Sequence, residues 1–373
     1  MRLPYPCPDP SDSLDIAWDR GNLLAEPWVA AMAACMQDPE HHAEGDVWTH
    51  TKLVCEALVA LPAWSALPAL DREVVFAACL LHDIAKPPTT RVEDGRIRHP
   101  GHSPRGATTV RDMLWRLGVD PGVRERVAGL VRTHQLPFFL IEEADPIRRA
   151  AAISQSIRCD QLALVTRADA LGRICRDPQR LLDNIALFEE LCAEHQCLDR
   201  PFAFASDHSR FVYFRSQDRD PGYAAHDDTR CEVIVMCGLP GAGKDHWIAH
   251  NTDLPVVSLD ALREELDAPA SGNQGAVIQA AREHAREHLR RHQSFVWNAT
   301  SLTRDLRGRI ISLAADYHAR VRIVFLDTAY RRLVRQNRDR TASVPLAVIE
   351  KMTRLWDPPD LTEAHRVDWI VQS

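Results

Sequence analysis

The sequence predicts two domains of different architecture: an all-α domain in the N-terminal half and an α/β domain with a parallel sheet in the C-terminal half. A chain of 373 residues is long enough for two domains that each bury a core. From about Trp28 to Cys197, apolar residues recur at intervals of three and four, which is typical of amphipathic helices. Beyond Arg230, short β-branched runs alternate with helical segments, the order expected of a parallel sheet covered on both faces. We expect the domains at residues 1–205 and 231–373.

The helical half divides into periodic segments separated by Pro, Gly and Asp. The predicted helices are Val47 to Ala60, Glu73 to Ile84, Ala107 to Leu117, Val123 to His134, Gln161 to Leu171 and Leu181 to Cys192. The predicted strands of the second half are Val233 to Cys237, Val256 to Ser258, Phe295 to Trp297 and Val321 to Leu326. Residues 206–230 are polar and acidic around the strand-like run Phe211 to Phe214, which predicts a connector that can lend an edge strand to one domain.

Composition limits the compartment and the partners. The net charge of −7 gives no general attraction to nucleic acid or anionic membrane, so such binding would depend on local basic patches. None of the ten cysteines forms a C-x-x-C pair, and several lie in apolar segments, which favours reduced thiols and a cytoplasmic protein. The proline-rich segment from Met1 to Pro10 lacks the apolar core of a signal peptide, and no run reaches the roughly 18 apolar residues of a membrane helix. We expect neither export nor membrane insertion.

The segment from Val233 to Lys244 predicts a phosphate-binding loop. An apolar run leads into a glycine-rich turn, and G-x-x-x-x-G-K is met by Gly238, Gly243 and Lys244. Glycines let backbone N–H groups point at phosphate oxygens, while the following helix adds its positive N-terminus. The expected nucleotide-binding residues are Gly238, Pro240, Gly241, Ala242, Gly243, Lys244 and Asp245. The expected ligand is a nucleoside triphosphate, ATP or GTP, with Mg²⁺.

Asp245 departs from this motif, which normally has Ser or Thr after the lysine to contact magnesium. A carboxylate can also hold magnesium, but it adds negative charge beside the triphosphate. The sequence therefore leaves open whether Asp245 contacts the metal directly, through water or not at all.

Two later segments bear on the phosphate acceptor. Asp260 follows a predicted strand and Arg263 lies one helical turn later, so both can face the site. An aspartate there can accept the proton of an attacking hydroxyl, although an N-cap aspartate with a surface arginine is the structural alternative. The next strand ends near Asn298 and Thr300, which either orient metal-bound water or, as we favour, cap the next helix.

An arginine-rich helical segment from Tyr330 to Arg340 follows. Arg335 and Arg338 are three residues apart and can point together, which fits a lid that closes over a triphosphate. Arg331, Arg332 and Arg340 are expected to be solvated.

The helical half contains a set of metal-ligand residue types near predicted helix ends. These are His50, the adjacent pair His82 and Asp83, His102, His134 and Asp169. Imidazole and carboxylate groups from separate helices can hold one or two divalent transition metals, and such ions activate water and neutralise phosphate charge. The pair His82-Asp83 ends an apolar helix, which predicts a buried partner for both groups.

In order and type these residues match the ligands H, HD, H, H, D, and this half resembles the HD phosphohydrolase superfamily. The segments His99 to Ala107, Arg132 to Gln135 and Arg167 to Arg173 are similar to the HD domain of bacterial tRNA nucleotidyltransferases. The resemblance implies that His50, His82, Asp83 and Asp169 bind a first metal (Mn, Ni, Co, Fe or Zn), while His102 and His134 serve a second metal or the phosphate. Lys86 and Arg105 are candidate phosphate contacts, and His41, His42 and His99 are expected at the surface.

The second half resembles the 5′-hydroxyl polynucleotide kinase branch of P-loop phosphotransferases. The resemblance rests on the phosphate loop, Asp260 with Arg263, the segment Trp297 to Thr300, the arginine segment and the closing Pro358 to His365. It implies that Asp260 is the general base and that Arg263 contacts a phosphate of the acceptor.

Together, the two halves resemble the bacterial HD-Pnk end-healing enzymes. This implies phosphorylation of RNA or DNA 5′-hydroxyl ends, hydrolysis of RNA 2′,3′-cyclic phosphate or 2′-phosphate ends, and a functional link to an RNA ligase. Two alternatives stay open: a nucleoside or small-molecule kinase joined to an HD nucleotidase, which the acidic charge favours, and a nucleotide-gated regulator.

Overall fold

The computed structural model describes residues 3–9, 16, 18, 20–269, 272–339 and 343–372. The chain forms two compact units, Met1–Ala203 and Phe204–Ser373. Arg340 and part of the proline-rich N-terminal segment lie outside the described residues. Among the residues that are described, every helix is too short or too polar to cross a bilayer.

The first unit is helical, as predicted. Its α-helices are α1 (Pro27–Ala33), α2 (Val47–Val59), α3 (Pro62–Ser65), α4 (Ala69–Leu81), α5 (His102–Arg116), α6 (Pro121–Thr133), α7 (Pro146–Ser154), α8 (Cys159–Leu171) and α9 (Pro178–Glu194). Short 3-10 helices cover Arg20–Ala25, Pro87–Thr89, Leu136–Phe138 and Leu140–Glu142. A small antiparallel hairpin, β1 (Arg91–Glu93) with β2 (Arg96–Arg98), lies between α4 and α5.

Helix α4 is the centre of this unit. Every residue from Val74 to Leu81 is fully buried, because this part of the helix carries only apolar side chains and the helix packs against α2, α6 and α8. Helix α8 is buried over most of its length as well. The helices that carry the candidate ligands therefore share one core.

Helices α2 and α8 approach closely at Gly172, the residue after α8. A Cβ atom placed on Gly172 would lie 2.5 Å from the backbone nitrogen of Val54 in α2. Because that neighbour is backbone, no side-chain rotation could relieve the clash. The missing side chain lets α2 and α8 pack together, and these two helices carry His50 and Asp169.

The second unit is an α/β domain with a five-stranded parallel sheet, again as predicted. Its elements are α10 (Asp207–Arg215), β3 (Cys231–Cys237), α11 (Lys244–Asn251), β4 (Val256–Ser258), α12 (Leu259–Glu265), α13 (Gly275–Arg290), β5 (Phe295–Asn298), α14 (Arg304–Asp316), β6 (Ala319–Thr328), α15 (Tyr330–Arg338), α16 (Leu346–Thr353) and β7 (Arg366–Gln372). The strand order is β4-β5-β3-β6-β7, and every neighbouring pair is parallel. Strand β7 was not among the predicted strands.

The expected edge strand at Phe211 to Phe214 is wrong, because these residues belong to helix α10. Ser206 caps the helix by accepting a hydrogen bond from the Ser209 N–H (2.9 Å). The Phe211 ring stacks on His365 with ring centroids 4.0 Å apart. A run of four apolar residues does not by itself separate a strand from a helix, and here capping and packing decided the outcome.

Replacement of Gly172 by Ala should destabilise the first unit, because the added methyl group must push α2 away from α8. We expect the free energy of unfolding to fall by ~1–3 kcal/mol, measured by urea denaturation. The matched control is Gly308→Ala in helix α14, where a Cβ would meet nothing within 4 Å. That change should stabilise by ~0.5–1 kcal/mol. Equal effects of the two substitutions would contradict the packing account.

Candidate metal centre and nucleotide site

The six predicted ligands of the helical unit converge. His50 lies in α2, His82 and Asp83 directly follow α4, His102 begins α5, His134 follows α6 and Asp169 lies in α8. All six are buried, with exposed fractions between 0% and 7%. These residues come from five helices or helix ends and face one interior point. His50 and Asp169, which are in contact there, are 119 positions apart in the chain.

Asp83 is at the middle of this cluster. Its Oδ2 lies 3.1 Å from His82 Nε2 and 3.9 Å from His50 Nε2. Its Oδ1 lies 3.4 Å from His102 Nε2 and 3.9 Å from His134 Nε2. Four imidazole Nε2 atoms therefore surround a single carboxylate.

Backbone hydrogen bonds orient three of the imidazole rings. In each case Nδ1 donates to the carbonyl three residues earlier: His82 to Cys79 O (2.7 Å), His102 to His99 O (2.8 Å) and His134 to Val131 O (2.8 Å). A carbonyl can only accept, so the proton is on Nδ1. The Nε2 lone pair of each ring is then available to a cation, which is the usual arrangement around metal-ligating histidines.

Several buried atoms of the cluster have no hydrogen-bond partner among the described residues. They include His82 Nε2, His134 Nε2 and Asp83 Oδ1. Unsatisfied buried polar atoms are costly, and a bound cation would satisfy them. Triplets such as His50, His82 and Asp83 also have ligand atoms within 4.8 Å of one another. The donor set of imidazole nitrogen and carboxylate oxygen fits a divalent transition metal.

The carboxylates of the cluster are held in the charged form. Burial raises the pKa of Asp83, but the neighbouring His82 and Lys86 outweigh it and keep that pKa well below its usual value. Burial likewise opposes ionisation of Asp169, and Arg173, whose guanidinium donates to the Asp169 carboxylate at 2.7 Å, outweighs it. Burial lowers the pKa of His134 to about 3, so this imidazole is neutral near pH 7. Ionised carboxylates and a neutral imidazole are the states that metal binding requires. Burial lowers the pKa of His82 but Asp83 outweighs it and raises that pKa, so an ion would compete with a proton at this ring.

The two predicted phosphate contacts of this unit lie in different surroundings. Lys86 is buried, with Nζ 2.6 Å from Asp83 Oδ2 and 2.6 Å from Gln37 Oε1. Arg105 is exposed at the start of α5, where it donates to Pro88 O (3.2 Å). Phosphate contact by either residue stays a prediction.

One of the three histidines expected at the surface is not there. His41 is exposed and His99 is partly buried, but His42 is only 8% exposed and lies 2.8 Å from Glu44 Oε1. Sequence reasoning missed Glu44 and Arg173 as neighbours of the cluster. The spacing of four residues between Asp169 and Arg173 could have indicated that ion pair. No periodicity marked Glu44, because it approaches His50 from a loop.

The phosphate loop of the second unit connects β3 to α11. Gly241 and Gly243 have φ values of 80° and 86°, in the left-handed region that favours glycine. Gly243 caps α11, so the first N–H groups of the helix face the loop. Lys244 Nζ donates to the carbonyl oxygens of Gly238 (3.1 Å) and Leu239 (3.2 Å). The lysine therefore lies across the loop where a triphosphate is expected.

A cavity of about 1630 Å³ opens over this loop at the carboxyl ends of the strands. A cavity of this size has room for a nucleotide and a second substrate, and this edge of a parallel sheet is the usual place for ligands. Its lining includes Pro240, Gly241, Gly243, Lys244, Asp245, Asp260, Arg263, Asn298, Thr300, Arg332 and Gln336.

Asp260 and Arg263 lie together at this cavity on helix α12. Their side chains form an ion pair, and Arg263 Nε also donates to Gln274 Oε1 (3.0 Å). The Asp260 side chain is 83% exposed. Ser258 is the N-cap of α12, so the structural alternative of Asp260 as an N-cap is wrong.

Asp245 and Asn298 form a polar pair in the cavity. Asn298 Nδ2 donates to Asp245 Oδ1 (2.7 Å) from the end of the neighbouring strand β5. The prediction that Asn298 or Thr300 caps the next helix is wrong, because Thr303 is the N-cap of α14. Asp245 and Asn298 are oxygen donors next to the phosphate loop, the ligand type that Mg²⁺ prefers.

On helix α15 the arginine that lines the cavity is not one of the two predicted lid arginines. Arg332, expected to be solvated, lines the cavity, and the Gln336 amide links it to the loop. With the amide oriented to satisfy both groups, Gln336 donates to Gly241 O (3.0 Å) and accepts from Arg332 Nε (3.1 Å). Arg335 and Arg338 are exposed and do not line the cavity. Their role in a closed lid stays a prediction.

Comparison with known families agrees with this division. Residues 47–174 match the family described as the HD domain, and residues 233–359 match the family described as an AAA domain. The first match includes all six ligands of the metal cluster, and the second includes the phosphate loop. The chain thus combines a domain that matches the HD family and carries a buried His/Asp cluster with a domain that matches the AAA family and carries a phosphate-binding loop.

Curated relatives match only part of the chain. A CC-adding tRNA nucleotidyltransferase from Thermus thermophilus is 36% identical over 150 residues, which is 39% of this chain and 32% of that protein. A multifunctional CCA protein from Halorhodospira halophila is 32% identical over 128 residues, 34% of this chain and 28% of that protein. The chain spans about a third of the length of these relatives.

Solved structures were compared as well. A protein described as a kinase from Chloroflexus aurantiacus is 20% identical, with a TM-score of 0.33, and the match covers 39% of this chain and 86% of that one. A sugar kinase from Janibacter sp. HTCC2649 is 18% identical, with a TM-score of 0.29, covering 38% and 83%. At these scores we infer nothing about substrate from either.

Asp83→Asn should abolish stoichiometric binding of divalent transition metal. The reason is that the substitution removes the charge that faces four imidazoles and places an amide N–H₂ against one of them. Metal per chain after loading with Mn²⁺ or Co²⁺ is measured by elemental analysis. Asp71→Asn, on α4 beside Arg126, is the matched control and should keep wild-type metal content. Equal metal content in both variants would contradict the assignment of this cluster.

Arg332→Ala should weaken nucleotide binding by roughly 10-fold or more, because a charge-assisted hydrogen bond to phosphate is lost. The affinity of the protein for ATP or GTP in the presence of Mg²⁺ is measured by calorimetry. Arg338→Ala, on the same helix with its side chain 78% exposed, should change affinity much less. A larger loss in Arg338→Ala would instead support the lid predicted from the sequence.

Proposed function

We propose that this chain is a bifunctional enzyme that repairs the ends of broken RNA. The second unit transfers the terminal phosphate of a nucleoside triphosphate to a 5′-hydroxyl end. The first unit hydrolyses a 2′,3′-cyclic phosphate or a 2′-phosphate at the other end. The observation that carries the proposal is the combination, in one chain, of a complete buried His/Asp cluster with a phosphate loop facing Asp260 and Arg263 across one cavity.

The kinase step follows from the charges that line the cavity. Backbone N–H groups of the loop, Lys244 and Arg332 supply positive charge for the triphosphate, and Asp260 supplies an exposed carboxylate. In the proposed step Asp260 accepts the proton of the 5′-hydroxyl as its oxygen attacks the terminal phosphorus and the bond to the nucleoside diphosphate breaks. Arg263 orients Asp260 and contacts a phosphate of the strand. Asp245 and Asn298 are the groups available to hold Mg²⁺.

The hydrolytic step depends on the cluster around Asp83. Divalent ions bound there would lower the pKa of water and stabilise the developing charge on phosphate. In this chain His50, His82, Asp83 and Asp169 are proposed to hold the first ion, while His102 and His134 hold a second ion or contact the phosphate. Lys86 balances the charge of Asp83 through its ion pair.

The substrate assignment rests on chemistry and on the relatives of the HD domain. Those relatives include a CC-adding tRNA nucleotidyltransferase, which supports RNA as the partner of this unit. Cleavage of RNA that leaves a 2′,3′-cyclic phosphate and a 5′-hydroxyl produces two ends that a ligase joining 3′-hydroxyl to 5′-phosphate cannot use. One chain with both activities would prepare both ends for such a ligase. All ten cysteines are free thiols, which supports a cytoplasmic location.

The two activities should separate by mutation because the two sites use different residues. Lys244→Ala should abolish phosphorylation of a 5′-hydroxyl oligonucleotide and leave hydrolysis of a 2′,3′-cyclic phosphate end unchanged. His82→Ala should do the reverse. Phosphorylation is measured with ATP or GTP labelled in the terminal phosphate, with an RNA carrying both ends and a nucleoside as competing acceptors. Hydrolysis is measured as the change in gel mobility of the RNA. Label on the nucleoside and none on RNA would favour a small-molecule kinase.

A further inference from the structure

A buried carboxylate outside the predicted ligand set lies against one of the ligands. Glu44, in the loop before α2, has a side chain that is only 1% exposed. Its Oε1 is 2.7 Å from His50 Nδ1 and 2.8 Å from His42 Nδ1, and its Oε2 accepts from the backbone N–H of Ile174 (2.9 Å). The nitrogen of His50 that faces Glu44 is therefore the one that faces away from Asp83 and Asp169.

His50 differs from the other three histidines in the group that faces its Nδ1 atom. Each of those donates Nδ1–H to the carbonyl three residues earlier, but the corresponding carbonyl for His50, Val47 O, already accepts from the Thr51 hydroxyl (2.8 Å). At His50 the group next to Nδ1 is Glu44 Oε1, at 2.7 Å, although Nδ1 has no hydrogen bond among the described residues. A carboxylate is a stronger acceptor than a carbonyl, because its charge stabilises the polarised N–H bond.

The loop that carries Glu44 is attached to the far side of the cluster. Ala43 N donates to Ile174 O (2.9 Å), and Ile174 N donates to Glu44 Oε2 (2.9 Å). One backbone–backbone and one backbone–side-chain hydrogen bond therefore join this loop to the segment after α8. The His42 ring packs edge-on against the His50 ring, with centroids 4.6 Å apart. Glu44 is thereby fixed from three directions before any ion binds.

His42, Glu44 and His50 also offer ligand atoms within 4.8 Å of one another, which raises the question of a separate metal site. The hydrogen bonds answer it. Both oxygens of Glu44 already have partners, and Ile174 N–H can only donate. Among the described residues His50 Nδ1 has no hydrogen bond, although Glu44 Oε1 is 2.7 Å away, and the other unsatisfied atoms, His82 Nε2 and Asp83 Oδ1, lie on the other side of His50. Glu44 is therefore placed to act through His50 and not as a ligand of its own.

We propose that Glu44 is a positioning residue of the metal centre. In the structure His50 Nε2 donates to Asp169 Oδ1 (3.1 Å). With an ion bound at Nε2, the ring proton would lie on Nδ1, 2.7 Å from the Glu44 carboxylate, which would accept it and make Nε2 a stronger donor to a divalent transition metal. Carboxylate–histidine–metal arrangements of this kind typically contribute 10–100-fold to metal affinity. The role rests on the metal centre of the proposed function, whereas its test requires no RNA substrate.

The first test is metal affinity of the full chain. Glu44→Gln should weaken binding of Co²⁺ about 10–100-fold, measured by competition with a chelator, and should change the visible spectrum of the bound Co²⁺. The amide keeps the size of the side chain but places an N–H₂ group against a donor. Glu56→Gln, at an exposed position on α2, is the matched control and should leave affinity and spectrum unchanged. Wild-type affinity and spectrum in Glu44→Gln would overturn the proposal.

A second measurement separates positioning from a general loss of structure. In a His50→Ala background, Glu44→Gln should have no further effect on Co²⁺ affinity, because the residue through which Glu44 acts is missing. An additional loss of similar size in that background would overturn the proposal.

A third measurement needs no variant that could misfold. In the Zn²⁺-loaded wild-type protein, nitrogen-15 NMR should place the single proton of the His50 ring on Nδ1, and a proton on Nε2 would overturn the proposal. Lack of phosphoesterase activity in the wild type would contradict the proposed function and leave all three measurements valid.

Discussion

The burial of the Asp83 carboxylate is the constraint on which the helical unit depends. An ionised carboxylate removed from water costs several kcal/mol unless opposite charge and donors surround it. Asp83 follows α4, whose residues from Val74 to Leu81 are all apolar and buried, and is itself 1% exposed. Lys86 and four imidazoles meet it from α2, α5, α6 and its own helix end. The packing of these helices therefore builds the cation site and compensates the charge at the same time.

The second unit must bind a ligand of the opposite charge, because its expected ligand is a polyanion. Its loop supplies backbone N–H groups, and Lys244 and Arg332 add full charges at the cavity. Where the motif usually has a hydroxyl, this chain has Asp245, whose carboxylate accepts from Asn298 at the end of the adjacent strand. The hydrogen bond fixes the direction of a negative charge close to the triphosphate, where an oxygen donor can serve a magnesium ion.

The sequence predicted the architecture well and the side-chain neighbourhoods less well. Long periodic segments and the phosphate loop are local signals, and the helical unit and the parallel sheet follow from them. Short segments were less certain: residues Phe211 to Phe214 form part of a helix, and strand β7 was missed. His42 was expected at the surface and is buried, because its position depends on a loop that packs against residue 174. Burial of a single loop residue leaves no periodic pattern to recognise.

The sequence by itself determined which chemical groups are present, their order along the chain and the local turns that only glycine favours, such as Gly243 before α11. These features depend on a residue and its immediate neighbours. The tertiary structure alone decided that Glu44 bonds to a backbone group 130 positions away and that Arg332, not Arg338, lines the nucleotide cavity. Such pairings depend on distances between elements and on which face of a helix is covered, and both are set by packing across the whole unit.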